Sequence, residues 1–152
     1  MAKIERKRSA AESAVPRAAK AKRPMPSQKT RNRRLPAEVA RAVRAALDKK
    51  AQDVVVLDLR GTPAFTDFFV LCSGLNQRQV KAIADAVEES LRATGVRPAH
   101  VEGYDRADWV LMDFFTFIVH VFTPQTRAFY GLERLWGDAE RIDVSEEAAT
   151  GS

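Results

Sequence analysis

The sequence predicts a small single α/β domain (α+β in detail), a mixed sheet with helices packed on it, carried behind a basic tail. Three observations support this expectation. Residues 35–50 and 75–95 repeat apolar side chains at helical spacing, whereas residues 53–59, 66–74, 108–113 and 117–122 are short apolar runs bounded by turn residues. Helices and strands interleave with short connections, which favours one compact layer of strands. Charge is segregated: residues 1–34 hold 12 Lys and Arg against two acids, a balance of +10, and residues 35–152 hold 13 against 18, a balance of −5.

Residues 1–34 are rich in Ala, Lys, Arg, Ser and Pro and bury too little apolar surface to offset ordering, so a disordered basic tail is expected there. The first helix follows in "LPAEVARAVRAALDKK". Pro36 suits a first turn, Glu38 the positive end and Lys49 and Lys50 the negative end, while Val39, Val43 and Leu47 form one stripe. "DVVVLDL" reads as a strand, "GTPAF" as a turn and "TDFFVLCSG" as a second strand stopped at Gly74. Residues 75–95 give the strongest helix, with Asn76 as N-cap, Gly95 as C-cap and a stripe of Val80, Ile83, Val87 and Leu91. "AHVEG" is a short strand, Asp108–Asp113 and Phe117–Phe122 a hairpin. "PQTRAFYGLERLWG" reads as one closing helix with Phe129, Leu132, Leu135 and Trp136 on one side. The expected division is a tail over 1–34, a domain over 35–140 and a frayed acidic tail over 141–152.

Several chemistries find little support. One cysteine, Cys72, allows no intrachain disulfide, and its place inside a strand argues for a buried, inert thiol. The two histidines, His100 and His120, lack metal-ligand spacing, and His120 alternates with Ile118 and Phe122 as a packed residue would. No metal, cofactor or catalytic residue is therefore assigned. No run approaches a membrane span, and no secretory h-region opens the chain. The "CSG" that ends a strand before a helix is similar to nucleotidyltransferases. The paired carboxylates needed to clamp magnesium are missing, since no acid follows Ser73 until Asp85.

"DWVLMDFF" poses the sharpest question. Alternation puts Trp109, Leu111 and Asp113 on one face and Val110 and Met112 on the other. If Val110 and Met112 face the core, the opposite face displays a tryptophan beside an acid, the composition of an interface hot spot. In the alternative, Trp109 packs under the last helix and Asp113 opens the turn. Composition does not separate the two.

"TDFFVLCSGLNQRQVKAIADAVEE", "VEGYDRADWVLMDFF" and "IVHVFTPQTRAFYGLERLWGD" together resemble the ribosomal silencing factor family, also called RsfS or Iojap, from about Pro36 to Gly137. The resemblance implies a nucleotidyltransferase-like fold without catalytic carboxylates, and hence no enzyme. It implies a cytoplasmic protein that binds the large ribosomal subunit through ribosomal protein fourteen. There it would block subunit joining and repress translation under nutrient limitation. The implied contact residues are Asp108, Trp109, Val110, Asp113 and Tyr130, while Leu132, Glu133, Leu135 and Trp136 are motif positions read as structural. Monomer and homodimer both fit. Where the family has a hydrophobic residue and then glycine after the motif aspartate, this chain has Phe114 and Phe115. A turn needing positive φ would therefore be strained. The competing expectation is a nucleic-acid-binding protein acting through its basic tail, with weak ribosomal RNA contact as the milder form.

Overall fold

In the computed structural model, residues 35–144 are described, so the readings made for 1–34 and 145–152 lie outside the described residues. The elements run α1 (Ala37–Asp48), β1 (Gln52–Asp58), β2 (Phe68–Ser73), α2 (Gln77–Arg92), β3 (His100–Glu102), β4 (Trp109–Asp113), β5 (Phe117–Phe122), α3 (Pro124–Tyr130), α4 (Leu132–Leu135) and β6 (Glu140–Asp143). The six strands form one mixed sheet in the order β3-β4-β5-β2-β1-β6. Only β2 and β5 are parallel, with Ser73 opposite Phe122. The other neighbours are antiparallel.

Both faces of the sheet are covered, and strand alternation divides the core in two. On one side Val54, Val56, Val70, Cys72, Val110, Met112, Val119 and Val121 meet the stripes of α1 and α2. All four stripe residues of α2 are buried, as their spacing predicts. On the other side Val55, Leu57, Phe69, Leu71, Trp109, Leu111, Ile118 and Phe122 pack with Leu132 and Trp136. The two helices are pinned at one end. Asn76 Oδ1 accepts from Gln79 N at 2.9 Å, while Gln79 Nε2 donates to the carbonyls of Lys49 and Lys50 at 2.9 and 3.2 Å. One side chain thus satisfies carbonyls at the end of α1 from within the first turn of α2.

Two expectations change. The closing helix is two short ones, because Gly131 sits in the left-handed region at φ 55° and ends α3 with its N–H on the Arg127 carbonyl. The break turns Phe129 outward, where it is 77% exposed, while Leu132 and Trp136 stay buried. Residues beyond 140 also hold structure, for Glu140–Asp143 forms β6 on the free edge of β1. Three of its four residues are charged, which suits an edge strand.

The hairpin between β4 and β5 keeps the glycine conformation without the glycine. Phe115 has φ 74°, Thr116 N donates to the Phe114 carbonyl at 2.9 Å, and the Phe115 ring is 73% exposed. Asp113 Oδ1 accepts from Phe115 N at 2.9 Å and so braces the strained residue. Among the described residues, no helix is long and apolar enough to cross a membrane.

Candidate functional site

The strand register sets two ends of the sheet. Trp109 pairs with Phe122, and Phe122 with Ser73, so the start of β4 lies beside the C-terminal ends of β5 and β2. Asp113 pairs with Ile118 at the opposite end. At about 3.4 Å per residue, four residues put Asp113 about 14 Å from Trp109 along the strand.

Trp109 is 2% exposed, so it is not displayed on an open face as the hot-spot reading required. Its Nε1 donates to His120 Nδ1 at 3.0 Å, a diagonal pair across the antiparallel strands. That bond requires the neutral imidazole with its proton on Nε2. The indole ring also meets Phe122 at 5.1 Å and Tyr130 at 4.7 Å between centroids. The packing is that of the alternative reading: Trp109 lies under the closing helical segment and Asp113 opens the turn. Val110 is likewise fully buried, on the helical face.

Asp108 and Tyr130 remain at the surface. Asp108 is 35% exposed in its side chain and is held on three sides. Its carbonyl accepts from Thr123 N at 3.0 Å, Gln77 Nε2 donates to Oδ1 at 2.8 Å, and Arg106 lies 3.5 Å from Oδ2. Tyr130 is half-buried on Trp109, and Phe129 meets the Tyr130 ring edge-on at 5.0 Å. Helical spacing puts Phe129 on one side with Leu132, Leu135 and Trp136, whereas in the structure it is exposed and Leu132 and Trp136 are buried. Gly131 was the available signal that the helix stops short of its next turn.

The loop that delivers Asp108 is unusually constrained. Gly103 has φ 80°, and a Cβ there would overlap the Trp109 carbonyl oxygen. Ala107 is buried at φ 56° with its N–H on the Gly103 carbonyl at 2.9 Å, and Tyr104 Oη donates to Asp85 on α2 at 3.0 Å. The glycine of the "VEG" motif is thus explained by close backbone approach.

Next to this surface Arg127 forks onto Glu133 at 3.2 and 2.9 Å and donates to Ser73 Oγ at 2.9 Å. The hydrogen bonds and charge of Arg127, with Arg141 behind, hold the Glu133 carboxyl below the usual carboxylate range. Burial pushes the Cys72 thiol up to about 12 against the opposing charge of Arg127, which leaves it unreactive at neutral pH. Among the described residues no group of His, Cys, Asp and Glu could hold a metal ion.

Comparison with known proteins places these features. The family model described as "Ribosomal silencing factor during starvation" matches residues 32–152. The ribosomal silencing factor RsfS of Halalkalibacterium halodurans is 43% identical over 68% of this chain and 88% of its own. The chloroplastic protein Iojap of Zea mays is 35% identical over 66% of this chain and 44% of its own, and the mouse protein named for mitochondrial assembly of the ribosomal large subunit is 31% identical over 58% and 40%. A crystal structure from Chromobacterium violaceum superposes with a TM-score of 0.64 at 32% identity, covering 74% of this chain and 88% of that one. One from Bacillus halodurans gives 0.62 at 39%, covering 70% and 96%. With the family model spanning most of the chain and both sequence and fold similar to these relatives, this chain belongs to the RsfS family of ribosomal silencing factors.

Proposed function

We propose that the protein docks on the large ribosomal subunit through ribosomal protein fourteen, blocks subunit joining and so lowers translation under nutrient limitation in the cytoplasm. The contact surface is Asp108 and Tyr130, joined by Phe129. Trp109 acts from beneath by fixing the Tyr130 ring, Val110 by anchoring β4 to the helices, and Asp113 by shaping the distant turn. The observation that carries this reading is the exposed Phe129 beside a Tyr130 ring seated on Trp109, with the tethered Asp108 carboxylate preceding that indole. A rigid aromatic pair with a fixed charge costs little side-chain entropy on binding and suits a protein partner. The part of the domain that carries this face, residues 51–73 and 98–144, has a net charge of −6, which complements a basic ribosomal protein. The family's role is regulatory, and nothing in this mode of action requires bond chemistry.

The test is sedimentation of purified subunits with wild type, Phe129→Ser, Tyr130→Ala and Asp108→Arg. Wild type should co-migrate with the large subunit and keep the small one apart. Each variant should let the subunits join, with affinity lowered about thirtyfold where about 2 kcal/mol is lost. Undiminished blocking by all three folded variants would move the contact to another face.

A further inference from the structure

Charge is divided within the domain as well as between domain and tail. The helical layer with its termini, residues 35–50 and 74–97, holds eight Lys and Arg against five Asp and Glu, a balance of +3. The rest of the described domain, residues 51–73 and 98–144, holds five against eleven, a balance of −6. Residues 1–34, with their balance of +10, lead directly into α1. The helical layer therefore continues the charge of the tail, and the rest of the domain opposes it.

The cationic side has a shaped feature. Arg41, Arg44 and Lys49 line a groove of about 590 Å³ between α1 and α2, with Ala45, Ala86, Ser90, Asp48 and Glu89 completing the walls. Arg41 is held in place by its Nε, which donates to Ser90 O at 3.0 Å and Ser90 Oγ at 3.1 Å, so its terminal nitrogens have no partner within the described residues. Neither Arg44 nor the Lys49 ammonium has one. A guanidinium fixed through Nε presents two coplanar donors, the geometry that grips a phosphate. Asp48 and Glu89 lower the balance of the groove itself to +1, so the whole layer supplies the attraction and the groove supplies the grip.

From this arrangement we infer that the helical layer is a docking surface for the phosphodiester backbone of RNA, centred on Arg41, Arg44 and Lys49. An anionic membrane is the less suitable polyanion. Among the described residues, the exposed large apolar side chains are Phe65, Leu75, Val101, Phe115 and Phe129, none within α1 or α2, and interfacial binding needs an apolar helix face. The inference does not depend on the partner proposed for Tyr130. It adds a second surface of opposite charge, on the far side of the sheet, contacting RNA by position rather than sequence.

Fluorescence anisotropy of a labelled RNA hairpin with the full-length protein, across a potassium chloride series, tests it. Binding should weaken steeply with salt. Arg44→Glu should lower affinity about tenfold and reduce the magnitude of the salt slope by about 1, and Lys49→Glu added to it should deepen both changes. Arg134→Glu, the same charge change on the acidic side, should alter neither. Arg44→Gln, melting with wild type, should fall between wild type and Arg44→Glu. Wild-type affinity in Arg44→Glu would show that the tail alone binds, and an equal loss in Arg134→Glu would reduce the effect to net charge; either overturns the inference. So would absent binding, or binding to phosphatidylserine vesicles in place of the hairpin. The hairpin contains no ribosomal protein, so failure here leaves the Tyr130 surface to be judged by subunit joining alone.

Discussion

Replacing Trp109 separates support from contact at the candidate surface. Trp109→Ala removes a ring that is 2% exposed and packed against Phe122, His120 and Tyr130. Truncating a buried tryptophan typically costs about 3–5 kcal/mol. For a domain of this size, that lowers the melting temperature by about 15 °C or more. Trp109→Phe keeps most of the ring contact but removes the donor to His120 Nδ1, a loss of about 1–3 kcal/mol for a buried acceptor. The expected order of melting temperature by circular dichroism is wild type, Phe, then Ala. Subunit joining should be measured well below the lowest transition. There Trp109→Phe should block joining nearly as well as wild type, and Trp109→Ala should fail because Tyr130 loses its seat. Trp109→Ala melting with wild type would refute the buried assignment. Trp109→Phe that melts only slightly low yet fails to block would show that the indole itself meets the partner.

Phe115→Gly should raise stability by up to about 1 kcal/mol, because the exposed ring contributes little packing while φ 74° strains any residue with a Cβ; chemical denaturation would read it. Gly103→Ala should cost at least about 2 kcal/mol, since the colliding atom is backbone and φ is 80°, and Gly61→Ala, with open space around it, should cost less. Glu133 has its folded pKa depressed by Arg127, so its contribution is present above the ordinary carboxylate pKa of about 4.3 and lost as pH falls below it towards the folded value. Glu133→Gln should therefore lower stability at pH 7 and flatten the acid limb of the stability profile; an unchanged limb would mean that Arg127 does not hold Glu133 in solution.

Local periodicity carried as far as the layer it describes. The α2 stripe and the alternation of Val110 and Met112 against Trp109 and Leu111 were legible because two long helices and flat strands impose clear periods. The second cover layer was legible only in part, as one closing helix, because it is built from residues 59–66, two short helices and their connections, too short to show a clear period. Without the full layer in view, an apolar face of β4 looks available to a partner. β6 was missed for a related reason: its four residues carry two acids and an arginine, and edge strands use charge to avoid mispairing. Phe129 was misplaced because a pattern of i, i+3 and i+6 was carried across Gly131, whose φ of 55° resets the helical phase.

The spacing of Trp109 and Asp113 then has a cause that does not need a shared ligand. Each is a terminal residue of a five-residue strand, so an interval of four puts both on one face by parity alone. Trp109 faces that way to reach His120 on β5 and to carry Tyr130, and Asp113 faces that way at the other end, where its carboxylate accepts from Phe115 N. Lengthening β4 by one residue would turn one of the two to the helical face, among Val110, Met112 and Val119, where an uncompensated carboxylate or a displaced indole would be costly. The motif therefore fixes the length of β4. That length holds the strained hairpin and the Asp108–Tyr130 surface at opposite ends of one strand, so a change in the turn sequence, such as Phe115 in place of glycine, lies four residues of strand away from that surface.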